Sequence, residues 1–204
     1  MARWSSVPTW WIREMGISVF IGGKQTGTSI AALKILLAVV LLADFHTRKT
    51  SSSLSDLEGL TGLSRPKVID GINDLEQKRI LIVNRDGHVN EYELVMPEDD
   101  KQWGKIPYQN LRRYLAEISN RGIMTLAGMK IYLLLVAWRP NDSSSISISH
   151  EKIREQTGVQ PRHVRGGIDV LINHRLIRVS TNEARTPNKI QAGYNVYTLL
   201  GLNL

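Results

Sequence analysis

The chain has 204 residues, of which 42% are hydrophobic and 22% charged, a balance typical of globular proteins and a length that suits one large domain or two small ones. It contains no cysteine, which excludes disulfides, zinc–thiolate sites and thiol catalysis. The net charge of +7 is unevenly spread: residues 1–100 hold 11 Lys/Arg against 13 Asp/Glu, whereas residues 101–204 hold 15 against 6. The second half is therefore strongly basic, and such an excess attracts polyanions.

In chain order, Met1-Ala2-Arg3-Trp4 lacks the apolar core of a secretory signal. Trp4, Trp10 and Trp11 are expected to pack in their unit's core, with a partner surface as the alternative. Ile17 to Ile21 is strand-like. Gly22 to Ser29 reads G-x-x-x-x-G-T-S, but a phosphate-binding loop needs Lys where Thr28 stands, so a Gly-rich loop before a helix is expected. An apolar helix follows over Ser29–Ala43 with Lys34 as its one charge. The greasiest run, Ile30 to Phe45, contains Lys34 and Asp44 and is shorter than the roughly 20 residues of a membrane span. The expectation is a cytoplasmic protein without membrane association.

A polar loop over His46–Ser52 precedes Ser53-Leu54-Ser55-Asp56, a hydroxyl N-cap with an acid three residues on. The short helix that follows turns Leu57 and Leu60 inward and stops at Gly62. Ser64 is expected to cap a third helix with a Val68, Ile72 and Leu75 stripe, ending near Lys78. Ile80–Val83, the turn Asn84-Arg85-Asp86-Gly87 and Glu91–Val95 read as a hairpin. Pro97-Glu98-Asp99-Asp100 opens an acidic linker over residues 98–104.

The pattern then repeats at an offset of 96 residues. Thr61-Gly62 lies over Thr157-Gly158, Val68 over Val164, Gly71 over Gly167, Leu75 over Leu171 and Arg79 over Arg175. Upstream, Lys34-Ile35 lies over Lys130-Ile131 and Ser53 over Ser149, while Val7-Pro8 resembles Ile106-Pro107 with a small shift. The second unit accordingly has a helix over Thr125–Trp138 stopped by Arg139-Pro140, and a polar loop over Asn141–Ser145. Its Ser149-capped helix ends at Gly158, and a stripe of Val164, Ile168 and Leu171 lies on a helix ending near His174. The strands Leu176–Val179 and Tyr194–Leu199 close it, joined by a longer turn over Thr181–Gly193. Gly71 and Gly167 lie on or near the stripes, where close helix crossings would require them. The fold class is α+β, mainly α: two tandem winged helix-turn-helix domains, residues 1–97 and 105–204, related by the internal repeat.

Leu54-Ser55-Asp56-Leu57-Glu58-Gly59-Leu60-Thr61-Gly62-Leu63-Ser64-Arg65 resembles the core of bacterial winged-helix proteins. The wider frame, over residues 7–199, resembles the DNA-binding domain of phage replication O proteins and related plasmid replication initiators. It comprises the Val-Pro or Ile-Pro opening, an apolar helix led by Lys, a capped helix, a Thr-Gly turn and a wing. The resemblance implies double-stranded DNA as partner, with a homodimer and host replication proteins as further possible partners. Two departures stand out: Gln160-Pro161 replaces the expected Ser-Arg, and Asp70 stands where such helices often carry an outward Arg or Lys.

In a helix-turn-helix the second helix enters the major groove with its N-terminal outward residues on base edges. Those residues are Ser64, Arg65, Lys67 and Asn73 in the first unit, and Gln160, Arg162, His163 and Arg165 in the second. Wing candidates are Arg85, His88 and Asn90, then Arg185, Lys189 and Gln191. Arg162 and Arg165 are favoured over Arg65 and Lys67, because Asp70 and the slightly acidic first half oppose phosphate approach. The five histidines form no H-E-x-x-H or His-x-His pair, so neither a metal site nor a cofactor is expected. There is no Ser/His/Asp set with a family context and no nicking-tyrosine motif, so an enzyme is not expected. Three roles remain open: a replication initiator at repeated or palindromic origin sites, which is preferred, a transcription regulator at an operator, and a tandem winged-helix protein-interaction module.

Overall fold

The long apolar runs have no polar face to show to water, and they are buried all round. A computed structural model describes residues 4–97, 102–181 and 195–202 of the chain. In it the first run forms α1 (Thr26–Leu42), buried at every position from Ser29 to Leu41. Its counterpart α5 (Ile123–Trp138) is buried from Thr125 to Ala137. A helix that is apolar on all sides belongs in the middle of a core. A 3₁₀ turn over Gly23–Gln25 leads into α1, so the helical stretch Gly23–Leu42 reaches 20 residues, long and apolar enough to cross a membrane by length and composition. The run from Ile30 had suggested a shorter element. Most of the stretch, 72% of its apolar window, is buried inside the protein, as befits a core helix.

The first half continues β1 (Trp4–Pro8), α1, β2 (Lys49–Ser52), α2 (Leu54–Thr61), α3 (Arg65–Gln77), β3 (Leu81–Asn84) and β4 (Asn90–Leu94). The second half runs β5 (Trp103–Pro107), α4 (Tyr108–Tyr114), α5, β6 (Ser145–Ile148), α6 (His150–Thr157), α7 (Pro161–Asn173), β7 (Ile177–Thr181) and β8 (Asn195–Leu199). The protein is α+β and mostly helical. Its three small antiparallel sheets have strand orders β2-β4-β3, β6-β8-β7 and β1-β5. The bounds of α2, α3 and β2 recur in α6, α7 and β6 at the 96-residue offset seen in the sequence.

The helix ends follow their local chemistry. Ser53 accepts from the Asp56 backbone N–H while the Asp56 carboxylate accepts from the Ser53 N–H, closing a capping box. Ser149 accepts from the Lys152 N–H in the same way. Gly62 and Gly158 end α2 and α6 in the left-handed conformation, at φ of 67° and 64°. Ser64 departs from expectation: it occupies the N-cap position of α3, but its side chain makes no capping hydrogen bond.

Three segments differ from what their sequence suggests. Within His46–Ser52, expected to be loop, β2 pairs with β4 from Lys49↔Glu93 to Ser52↔Asn90. Lys49 Nζ lies 3.2 Å from Glu93 and 3.5 Å from Glu91, so this polar edge strand is held by its ladder and cross-strand charge rather than by an apolar face. Ile17 to Ile21 is no strand: Ile17–Val19 is a 3₁₀ turn that buries Ile17 and Phe20, a spacing of three that suits a helical turn. Trp103 and Gly104, expected in the linker, belong to β5; Glu98, Asp99 and Asp100 lie outside the described residues.

Strand β5 pairs with β1, from Trp4↔Pro107 to Pro8↔Trp103, so the two similar openings of the halves bind each other. Trp4 stacks on Trp103 at 5.4 Å, and Phe45 stands edge-on to both. Trp10 and Trp11 pack in the core, Trp10 donating to the Val95 carbonyl at 2.8 Å. One hydrophobic core runs through both halves. Within each half the third helix crosses the central one at a glycine. A Cβ on Gly71 would stand 2.8 Å from the Ala31 carbonyl carbon, and one on Gly167 would stand 2.9 Å from the Gly128 nitrogen.

The halves also exchange contacts at their turns. Gly62 packs against Ala116 and Gly158 against Ser18, two positions related by an offset of 98. Lys34 and Lys130, the lone charges of α1 and α5, are buried at these contacts. Lys34 Nζ donates to the Thr61 carbonyl at 2.8 Å, the Ile118 carbonyl at 2.5 Å and the Asn120 Oδ1 at 2.6 Å. Lys130 Nζ donates to the Phe20 carbonyl at 3.1 Å. Burial lowers the pKa of each ammonium to about 8.

Candidate nucleic-acid interface

The turns ending at Gly62 and Gly158 set the start of α3 and α7, and the Val68/Ile72/Leu75 and Val164/Ile168/Leu171 stripes fix which faces point inward. Both stripes are buried, which leaves Arg65, Ile69 and Asn73 exposed on α3, and Arg162, Arg165 and Asp169 exposed on α7. Ser64 and Gln160 are exposed at the two N-cap positions, and Lys67 and His163 are half-buried.

The candidate cations of the first half, Arg65, Lys67 and Arg85, are engaged with carboxylates of the same half. Arg65 Nη2 lies 3.1 Å from Glu58 Oε2 and donates to Ser55 Oγ at 2.8 Å. Lys67 Nζ lies 2.7 Å from Asp70 Oδ2. Arg85, the wing candidate, makes a fork to Glu76 at 2.9 and 2.5 Å, which raises its pKa further. His88 is exposed, and Asn90 donates to the Tyr92 hydroxyl at 3.1 Å. Asn73 is exposed beside these pairs. Each such pair is worth at most about 1 kcal/mol at a surface, but together they cancel the local field a phosphate would meet.

In the second half Lys152 pairs with Glu155 at 3.0 Å, but the arginines of α7 differ. Among the described residues neither Arg162 nor Arg165 has an ion-pair or hydrogen-bonding partner for its side chain. The repeat shifts charge toward positive at matched positions: Glu58 is inverted to Arg154, the neutral Ile69 gives way to Arg165, and the acid Asp70 is lost at Gly166. Over α2 and α3 two cations face five carboxylates, a net of −3; over α6 and α7 four face three, a net of +1. Arg154 was not anticipated. It is exposed and lines a surface cleft with Glu151, Glu155, Gly158, Val159 and Pro161, beside the N-terminal end of α7. Its signal in the sequence was the Glu58/Arg154 inversion within the repeat. Arg185, Lys189 and Gln191 lie outside the described residues.

Gln160, Arg162 and His163 also border a cavity of about 560 Å³ between the halves, whose walls include Gly22, Gly23 and Lys130. The N-terminal end of α7 is thus cationic, exposed along one side and hollowed along the other. No protein-family model matches the chain, and no curated protein matches it.

Proposed function

We propose that the protein binds double-stranded DNA through two fused winged helix-turn-helix units, with the second unit supplying most of the grip. The observation that carries this reading is the contrast between matched helices. At the start of α7, Arg162 and Arg165 are exposed and unpaired among the described residues, whereas Arg65 and Lys67 of α3 are held by Glu58 and Asp70. In a helix-turn-helix, α7 would lie in the major groove with Gln160, Arg162 and Arg165 near base edges. Arg154 on α6 would meet the backbone beside them, where contacts position the protein without reading sequence. The first unit reads bases more weakly, contacts a protein partner or mediates self-association.

The preferred role is initiation of replication at origin repeats of a plasmid or phage, which rests on the resemblance of the tandem frame to such initiators. Repression at an operator would use the same surfaces. The DNA reading is tested by enriching duplexes from a random pool on the purified protein and measuring the affinity of the selected sequence by fluorescence anisotropy. A selected motif bound at least a hundredfold more tightly than scrambled duplex supports it. Failure to enrich any motif, with equal affinity for all duplexes, overturns sequence-specific binding.

A further inference from the structure

The two buried lysines stand at matched positions but have unmatched surroundings. An ammonium carries three donors. Lys34 places all three, on Thr61, Ile118 and Asn120. Lys130 is 5% exposed, and its one acceptor among the described residues is the Phe20 carbonyl. Phe20 matches Ile118 at the offset of 98 that relates the other contacts between the halves, and at that offset Gly22 matches Asn120. The first lysine therefore meets an amide side chain where the second meets none. The space is the cavity of about 560 Å³, within the usual range for small-molecule pockets.

We propose that this cavity binds a small organic anion, a carboxylate or phosphate ester carrying an apolar body, with its charged group on Lys130. The wall chemistry fits both parts of that ligand. Ile123, Leu126, Ala127 and Val159 offer apolar surface, while Lys130 and the Arg162–His163 end of α7 offer donors. Among the described residues none that lines the cavity is acidic, so none of them gives the buried ammonium a counter-charge there. A buried cation is stabilised by a partner of opposite sign, and an anion that also covers the apolar wall supplies one. The proposal does not rest on the DNA reading, although the site shares Gln160, Arg162 and His163 with the end of α7 proposed to meet DNA.

The test is an NMR titration of the full chain with phenylacetate, its neutral analogue phenylacetamide and inorganic phosphate. Phenylacetate is expected to shift the amides of Gly22, Gly23, Gly158 and Val159 saturably, and to bind at least about tenfold more tightly than either of the others. Gly22→Asn should place an amide on Lys130 as Asn120 does on Lys34, and weaken phenylacetate binding about tenfold or more. A Cβ at Gly22 meets only the end of the Ile123 side chain within 3 Å, so the cavity can admit it with a rotamer change. Should that variant fail to fold, Lys130→Gln, which keeps a polar side chain without the charge, must show the same loss. Absence of shifts at these glycines, equal binding of phenylacetamide or phosphate, or undiminished binding by the folded variants would each overturn the proposal.

Discussion

Lys34 of the first half holds Asn120 of the second, Nζ to Oδ1 at 2.6 Å, and Asn120 in turn donates to the Gly62 carbonyl at 2.6 Å. The bond joins an apolar core helix to the turn that positions α3. Replacing Lys34 by Met strands the buried Thr61 and Ile118 carbonyls and leaves the exposed Asn120 amide to water, and each buried group left unsatisfied costs about 1–3 kcal/mol. Lys130→Met strands one. The expected order in urea denaturation is therefore a larger loss for Lys34→Met, about 2–6 kcal/mol, and a smaller one for Lys130→Met, about 1–3 kcal/mol. Equal losses would show that the different partners of the two ammonium groups carry no energetic weight.

The same pair sets a pH dependence. Burial holds the pKa of both lysines at about 8 in the folded chain, below the ordinary lysine value of 10.5. Between those limits the unfolded chain binds more protons than the folded one, so stability rises with pH. Tyr92, Tyr132 and Tyr197 act in the opposite sense, since burial raises their pKa and the folded chain keeps protons that the unfolded chain loses. Stability should climb from about pH 8, and the buried tyrosines should turn it downward above about pH 10. Urea midpoints taken across this range would show it, and a steady fall from pH 8 upward would contradict the assignment.

The helix crossings give a second structural test. Gly71→Ala sets a Cβ within 3 Å of the Ala31 backbone, which cannot swing away as a side-chain end can. Overpacking of this kind costs about 1–3 kcal/mol, and Gly167→Ala should behave alike against Gly128. Gly59, inside α2, has nothing within 4 Å of its would-be Cβ. Gly59→Ala should instead stabilise by up to about 1 kcal/mol through helix propensity. Thermal melts of the three variants separate the cases by sign.

For DNA, the double variant Arg162→Ala/Arg165→Ala should weaken binding about tenfold or more, and Arg65→Ala/Lys67→Ala much less. Arg154→Glu, which restores the acid that Glu58 provides in the first unit, should weaken binding to all duplexes alike. Comparable losses from both double variants would remove the argument for unequal units.

Salt offers an independent check. Log affinity should fall linearly with log salt, at a slope of roughly 0.9 per phosphate neutralised. The Arg154→Glu variant should lower that slope by about one. A flat salt profile for the wild-type protein would favour a protein-interaction module.

The sequence showed most clearly those features written in neighbouring residues. The Ser53/Asp56 box, the glycines at positions 62 and 158 and the inward stripes of α3 and α7 all need only local spacing to be read, and the structure has them. Strand β2 was hidden because Lys-Thr-Ser-Ser has no apolar alternation, and its pairing depends on a strand 40 residues away. The β1–β5 pair was hidden for a stronger form of the same reason: its partners are about 100 residues apart. At the candidate interface the charge asymmetry between halves was legible. The engagement of Arg65 with Glu58 and the hollow beside Lys130 were not, since both arise only when turns and helices meet in space.

The pairing of β1 with β5 also bears on the order of synthesis. Residues 4–8 leave the ribosome about 100 residues before the strand that completes their sheet, and Lys34 must likewise wait for Ile118 and Asn120. Until then the first half carries an unpaired strand and an unmatched buried cation. The nascent first half should therefore be a holding state, prone to pairing with other chains and dependent on its own second half for closure. The two halves, alike in sequence, would finish folding together.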